Sequence, residues 1–317
     1  MAAKVQGALR VVIDSSKKMA RRPPRAPTQS EPRSYRPTKG RKNNDLLNRK
    51  PSAGSRARTY NRGSGSSGSL ADSLNHSLIY GIRACEAAAH IRPQALNRVF
   101  LQRNLLSRFK STSEYCRLHN IPFKVVDSEE LERLTKSYHH EGVCFFTSAP
   151  KVWSFDEWIK LRIIRDRILV LFLVGVDNPH NIGAVIRAAA HFGVQAVCLT
   201  HSSHAVAPSA LRVAEGGAEY VELVYVPDPI SAISAFQKCG FALVATVPDA
   251  ELDLFTVSFS ARTVLAIGSE ADGLPPQILE RLETRVRIPG SGKIESLNVA
   301  TATAICAAEW FREFGVV

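Results

Sequence analysis

The run ILVLFLVGV, residues 168–176, constrains this chain more than any other stretch. It is a nearly continuous apolar segment of strand length. Such a segment belongs in a strand buried on both faces, the environment of a parallel sheet covered by helices. The pattern after it alternates. A helix over residues 181–192 leads to AVCLT as strand, PSALRVAEGGAEY as helix, VELVYV as strand, PISAISAFQKCG as helix and FALVATV as strand. RTVLAIG (262–268), a short PPQILERL helix, TRVRIP (284–289) and the long helix NVATATAICAAEWFREFG follow. Six strands with intervening helices predict an α/β fold built on a doubly wound parallel sheet.

Upstream the periods are shorter. SLIYGIRACEAAAH predicts a helix, RVFLQ (98–102) a strand and LSRFKSTSEYCRLHN an amphipathic helix. FKVV, a SEELERLTK helix and a VCFFTS strand (143–148) complete a small α/β domain over residues 70–150. KVWSFDEWIKLRIIRDR, residues 151–167, predicts a charged connecting helix, which leaves 168–317 as the larger domain. The sequence has no internal repeat.

The net charge of +12 is not spread evenly. Residues 1–69 hold 17 Lys or Arg against three acids, whereas the remaining 248 residues hold 24 basic and 26 acidic groups. The basic segment is rich in Pro, Ser and Gly, ends in NRGSGSSGS and has two aromatics, Tyr35 and Tyr60. It cannot bury enough apolar surface to offset its ordering entropy, so it is expected to be disordered. A flexible basic arm on a near-neutral body suits a polyanion, RNA first; a solubilising leader or an Arg-rich organellar transit segment is the alternative.

No apolar run reaches membrane-spanning length, and no secretory signal opens the sequence, so the expectation is a soluble cytoplasmic protein without a membrane partner. The six cysteines, Cys85, Cys116, Cys144, Cys198, Cys239 and Cys306, are scattered with no CxxC. That usage suits a reducing compartment and suggests neither disulfides nor a zinc site. His201 and His204 stand in HSSH without cysteines or carboxylates close in sequence, which reads as a surface loop and not a metal site.

Three motifs carry chemistry. In DNPHNIGAVIRAAAHFGV, Ile182, Val185, Ile186 and Ala189 share the helix face that packs on a sheet. Arg187 lies on the other face, with Gly183, Ala184, Ala190 and His191 three and four residues away. Small neighbours let a backbone or ligand approach, and a guanidinium offers a rigid fork of donors for phosphate or carboxylate. An ordinary salt-bridged arginine is the competing explanation. Asn178 or Asn181 can cap the helix. Next, GSEADG (268–273) follows a buried strand and projects Glu270 beyond a strand carboxyl end, where doubly wound sheets bind ligands. Last, IPGSGKIESLNVATA places a glycine-bearing loop before an alanine-rich helix that Ser296 or Asn298 would cap. GSGK is not a P-loop: Arg287 stands where the first glycine belongs, and Ile294 replaces the Ser/Thr. A GxGxxG after a first strand is also missing, so a dinucleotide site is unsupported.

The order and spacing of these motifs, N-x-G-x-x-x-R, then G-x-E-x-x-G, then I-P before S-L-N-V-A, closely resemble the SpoU (TrmH-like) family of RNA ribose 2′-O-methyltransferases in the SPOUT superfamily. The resemblance covers 168–317 and extends more weakly over 77–150. There YGIRACEAA and HHEGVCFF look like the start and end of the family's accessory substrate-binding domain, with His140-Glu141-Gly142 where His-Gln-Gly is usual. The resemblance implies a trefoil-knotted sheet that binds S-adenosylmethionine. It implies cofactor contacts at Gly268, Ile288 and Leu297, and a catalytic constellation of Asn181, Arg187, Glu270, Ser296 and Asn298. It implies RNA, transfer or ribosomal, as substrate, a homodimer with the alanine-rich final helix at its interface, and no metal. Arg187 would orient the ribose and its phosphate or serve as general base, and Glu270 would orient Arg187 or the substrate. Two family positions depart: Gly290 stands where Met often follows Ile-Pro, and SLNVA replaces SLNVS. The rival function is a non-catalytic RNA-binding protein that retains the fold.

Overall fold

The computed structural model describes residues 77–161 and 165–315, all within one compact unit, Gly65–Val317. The basic segment 1–69 and residues 70–76 lie outside the described residues.

The amino-terminal part runs β1 (Ser77–Tyr80), α1 (Ile82–Ile91), β2 (Leu96–Leu101), α2 (Lys110–Leu118), β3 (Phe123–Val125), α3 (Ser128–Thr135) and β4 (Val143–Thr147). Its strands form one sheet in the order β1-β4-β2-β3, with only β2 and β3 parallel. Burial on both faces follows from strand alternation. Ile79, Val99, Leu101 and Phe145 pack beside α1 and α2, whereas Tyr80 and Cys144 pack beside Leu131 of α3. The helix expected from Ser77 therefore begins five residues later. SLIY is an alternating strand paired with β4, and Gly81, at φ 93°, turns the chain into α1. That φ lies where a side chain is disfavoured.

The rest continues with β5 (Val152–Ser154), α4 (Phe155–Leu161), β6 (Ile168–Leu173), α5 (Pro179–His191), β7 (Ala196–Leu199), α6 (Ser202–Ala205), α7 (Pro208–Val213) and β8 (Glu222–Tyr225). Then come α8 (Pro229–Lys238), β9 (Ala242–Thr246), β10 (Leu252–Asp253), β11 (Arg262–Ile267), α9 (Pro276–Leu279), β12 (Thr284–Arg287) and α10 (Val299–Phe314). Eight strands form one sheet in the order β10-β12-β9-β11-β6-β7-β8-β5, every neighbour parallel. The six expected strands are all in it, and two short ones extend its edges.

One of those edges corrects the connecting helix. Val152–Ser154 pairs with Leu223–Tyr225 before α4 begins. Within α4, Trp158 is fully buried and donates from Nε1 to Glu222 Oε2 at 2.7 Å. A bulky β-forming pair, Val152-Trp153, here completes a sheet edge. PSALRVAEGGAEY is likewise not one helix. α7 stops at Val213, and the chain turns through Glu215 (φ 47°) and Gly216 (φ 87°) into a short 3₁₀ turn, Gly217–Glu219.

β6 explains the buried position of the sheet. Leu169, Leu171 and Leu173 face the cluster that holds α5, α10 and residues of α1, whereas Ile168, Val170 and Phe172 face Trp158, Phe236 and Ile278. β11 runs beside β6 in parallel register, Ile267 opposite Leu173. From β6 the chain builds outward through β7 and β8, while β11, β9 and β12 lie on its other side. The carboxyl ends of β6 and β11 therefore flank the reversal of strand order, where such sheets bind ligands.

Candidate functional site

The loops after β6 and β11 and the start of α10 meet through one carboxylate. Asn178 caps α5, its Oδ1 accepting from His180 N at 2.9 Å, which frees Asn181 one turn later to reach outward. Asn181 Nδ2 donates to Glu270 Oε2 at 2.8 Å. Asn298 Nδ2 donates to Glu270 Oε1 at 2.7 Å and to Asn181 Oδ1 at 3.2 Å. A carboxylate only accepts, so both amide groups must turn their nitrogens to it, which fixes the orientation of each. Asn298 also caps α10 through Ala300 N at 3.0 Å, and Val299 N donates to Glu270 Oε1 at 3.2 Å. Glu270 thus lies against the amino end of a sixteen-residue helix, where a negative charge is favoured.

Glu270 is aimed by a closed turn. Ser269 N donates to Gly273 O at 3.2 Å and Gly273 N to Ser269 O at 3.0 Å, with Gly273 at φ 67°. A Cβ on Gly268 would overlap the backbone of Gly273 and Leu274, so only glycine closes this loop. The next chain segment, Ile288 to Leu297, is irregular. Ile288 is half-buried against the core, while Leu297 and Ser296 are exposed. Among the described residues, no backbone amide between 288 and 297 has a hydrogen-bond partner. Unpaired amides and carbonyls in the segment that leads into Asn298, which Glu270 holds, are a donor and acceptor set suited to the edge of an adenine, so these residues fit an adenosine-bearing cofactor.

The structure therefore gathers Asn181, Glu270 and Asn298, with Gly268 beneath them and Ser296 and Leu297 on the adjoining loop. Arg187 is elsewhere. It lies six residues along α5 from Asn181, roughly 9 Å along the helix axis. Its guanidinium pairs with Glu215, Nη1 to Oε1 at 2.9 Å. Glu270 consequently orients the two asparagines and the α10 terminus, not Arg187. The small residues near Arg187 admit backbone: a Cβ on Gly183 would overlap Ala210 O, and Gly217 lies 3.2 Å from Arg187 Cα by its would-be Cβ.

Glu215 is the residue that sequence reasoning missed. Its other oxygen, Oε2, is 3.4 Å from Arg83 of α1. That oxygen is buried and makes no aligned hydrogen bond, so the contact with Arg83 is an ion pair alone. The only signal in the sequence was an acid immediately before Gly216-Gly217. Around these groups opens a cleft of about 670 Å³, lined by Arg83, Arg187, His191, Glu215 and Tyr220 among others. Glu141, which stands where the family's accessory domain usually has glutamine, has a structural account. Glu141, at φ 54°, accepts from Ile82 N at 2.9 Å, capping α1, and pairs with Arg212 of α7 at 3.6 Å.

HSSH acquires a carboxylate that its sequence neighbourhood lacks: Asp177, after β6, is 2.8 Å from His201 Nδ1 and 3.9 Å from His204 Nδ1. Among the described residues no group of three His, Cys, Asp or Glu is arranged to hold a metal ion, and no helix is long and apolar enough to cross a membrane.

Residues 168–308 match the family described as the SpoU rRNA methylase family. Residues 78–153 match the description RNA 2′-O ribose methyltransferase substrate binding. An Escherichia coli O157:H7 protein named uncharacterized tRNA/rRNA methyltransferase YfiF is 32% identical over 235 residues, covering 74% of this chain and 68% of that protein. The 23S rRNA (guanosine-2′-O-)-methyltransferase RlmB of Pseudomonas aeruginosa is 31% identical, covering 74% and 96%. The AdoMet-bound rRNA methyltransferase of Sinorhizobium meliloti superposes with a TM-score of 0.64 at 19% identity, over 76% of this chain and 89% of that one. The SpoU methyltransferase AviRb of Streptomyces viridochromogenes gives 0.62 at 23%, over 76% and 91%. At those identities the two structures establish a shared fold.

Proposed function

The chain belongs to the SpoU methylase family, and from that premise we propose that it transfers a methyl group from S-adenosylmethionine to the 2′-hydroxyl of a ribose in transfer or ribosomal RNA. The observation that carries this reading is the Glu270 carboxylate, which joins Asn181, Asn298 and the start of α10 at the reversal of strand order. When bound, the cofactor would supply a sulfonium methyl group for the 2′ oxygen, the S–C bond breaking to leave a neutral thioether and the hydroxyl proton passing to solvent.

The chain's own residues bind and orient. Backbone groups of Ile288 and Leu297 hold the adenosine beside Gly268. Glu270 and the two asparagines hold the cofactor loop to α5. Arg187 offers its remaining donors to the ribose and its phosphate, and Ser296 lies on the loop that borders them. Arg187 is assigned orientation and not proton abstraction, because a guanidinium is a donor with no acceptor. Orientation together with charge placement is sufficient to supply a large share of such a rate.

We further assign residues 70–150 to RNA substrate binding, 151–167 to the connection and 168–317 to methyl transfer. A trefoil knot is supported by the path of the chain: after β12, beyond β9, it returns so that α10 packs on α5, β6 and β11. A homodimer is supported by Ala300, Ala304 and Ala308, a small-residue face of α10 that is only half-buried. Homologous bacterial rRNA methyltransferases support a cytoplasmic site of action.

The test is to incubate the purified protein with methyl-labelled S-adenosylmethionine and total RNA from a strain lacking its gene. Label in alkali-resistant dinucleotides is expected, because a 2′-O-methyl group blocks cleavage of the next bond. Label confined to bases overturns the proposed reaction. A protein that binds no S-adenosylmethionine by calorimetry is instead a non-catalytic RNA-binding member of the family.

A further inference from the structure

We propose that Glu215 is the positioning residue for Arg187, holding its guanidinium at the mouth of the cleft so that the free donors meet the RNA backbone. This rests on the reading of Arg187 given above. Three elements that are far apart in sequence meet at this carboxylate: Arg187 of α5 at 2.9 Å, Arg83 of α1 at 3.4 Å, and the turn after α7 that carries Glu215 itself. The charges are ordered from inside to outside. The Glu215 side chain is 34% exposed, and the side chains of Arg187 and Arg83 are 55% and 70% exposed. Both cations therefore present themselves to an incoming polyanion from the wall of one cleft, with the anion between them offsetting their mutual repulsion.

The backbone argues that the side chain is retained for a purpose. Glu215 sits at φ 47°, in the left-handed region that costs a residue with a Cβ. Its neighbours cannot relieve it. Gly216, at φ 87°, lies against α1, where a Cβ would come within 2.5 Å of Ala87 Cβ. Gly217 lies against α5, with Ile186 O 3.0 Å from its would-be Cβ. A turn clamped on both sides would be best filled by glycine at Glu215 too, unless the carboxylate is needed. Arg187 has reason to need it: Ala184, Ala188 and Ala190 beside it in the cleft offer nothing else to fix a long, rotatable side chain. Arg83 shares the same carboxylate, so RNA held at the small sheet and the arginine that meets the ribose are tied to one group.

Glu215→Gly separates this role from a structural one. Glycine relaxes the left-handed backbone while it removes the carboxylate. Full-length protein would be assayed with methyl-labelled S-adenosylmethionine and RNA from a strain lacking the gene. For Glu215→Gly we expect turnover to fall about tenfold or more. The melting temperature should not drop, and KM for RNA and cofactor affinity should stay within about twofold, because neither the fold nor the cofactor loop depends on this group. Glu215→Gln, which keeps one acceptor oxygen, should recover part of the loss. In ¹⁵N-labelled protein the Arg187 Nε–H signal, assigned by its absence in Arg187→Ala, should shift or broaden in Glu215→Gly. Wild-type turnover in Glu215→Gly overturns the proposal, as does a loss matched by weakened cofactor binding and a lower melting temperature. If Arg187→Ala itself keeps wild-type turnover, the reading of Arg187 falls first. If Arg187→Ala is inactive while Glu215→Gly is not, only the positioning role is refuted.

Discussion

Asn181 and Asn298 stand 117 residues apart, yet their side chains are 3.2 Å from each other and both donate to the Glu270 carboxylate. The amino ends of α5 and α10 are thereby tied across the carboxyl edge of the sheet, and the loop that precedes Asn298 is anchored at its far end. Glu270→Gln tests this tie. The amide has one acceptor oxygen where the carboxylate has two, so one asparagine is left facing a donor. The charge opposite the α10 terminus is lost as well. S-adenosylmethionine affinity should fall about tenfold, roughly 1.4 kcal/mol, the scale of a hydrogen bond to a charged group. Calorimetry showing wild-type affinity in this variant would remove the network from the cofactor site.

Arg187→Ala should abolish most methyl transfer while the fold and cofactor binding persist. The guanidinium lies on α5 away from the Ile288–Leu297 loop, and its ion pair with Glu215 is half exposed, so it adds little to stability. Turnover should drop more than about tenfold, a barrier change above roughly 1.4 kcal/mol. A smaller loss in single-turnover assays argues that Arg187 is an ordinary surface arginine.

Gly268 and Gly290 should respond oppositely to alanine. The Cβ at Gly268 would overlap the backbone of the 268–273 turn, which cannot yield without opening its two hydrogen bonds. Nothing lies within 4 Å of a Cβ at Gly290, and its φ is ordinary. Gly268→Ala should cost about 2–3 kcal/mol in denaturant unfolding, in the range of other steric insertions. Gly290→Ala should stay within roughly 0.5 kcal/mol. Equal effects at the two positions would show that the turn is not as tight as its geometry.

Much of this was legible in the sequence because period and spacing carried it. ILVLFLVGV announced a strand buried on both faces, and Leu169 and Val170 are indeed covered from opposite sides. Asn181, Glu270 and Asn298 each sit at a strand end or helix start, positions that turn and capping residues mark. Arg187 was visible as a charge among alanines, but its partner was not. Glu215 reaches it by a left-handed backbone that no periodicity encodes, and from a segment that read as continuous helix. The edge strand Val152–Ser154 was hidden for a related reason: three residues are too few to show a period of two, and pairing with β8 alone makes them a strand. Glu141 was visible only as a glutamate where glutamine is usual, since its partner Arg212 lies 71 positions away along the chain.

Buried thiols give the folded protein an alkaline limit. Burial pushes Cys144 and Cys306 up to about 12 and also raises Cys85 and Cys198. An unfolded thiol ionises near 8.5. Between these values the folded chain keeps its protons and the unfolded chain loses them, so deprotonation favours unfolding. Stability is full below about pH 8.5 and declines as pH climbs toward 12, by up to about 1.4 kcal/mol per pH unit for each such thiol. Urea unfolding at pH 8, 9 and 10 should show this fall, and Cys306→Ala should lessen the slope even though it lowers stability at pH 8. An unchanged slope would show that Cys306 ionises alike in both states.

The last prediction concerns the basic segment. Residues 1–69 carry 17 Lys or Arg against three acids, while the rest of the chain is slightly acidic. If the body alone supplied RNA affinity, removing that segment would leave both binding and its salt dependence unchanged. A protein beginning near Leu70 is expected instead to fold, self-associate and bind S-adenosylmethionine normally, since every residue of the Glu270 network lies downstream. It should bind RNA more weakly. Its log affinity should fall less steeply with log salt, because fewer counterions are released when fewer phosphates are neutralised. The choice of methylated nucleotide should persist, because a basic arm meets phosphates and leaves base edges to the folded part. Filter binding across a salt series decides it: identical slopes for the full-length and shortened proteins would refute an RNA-binding arm and favour a leader or transit segment.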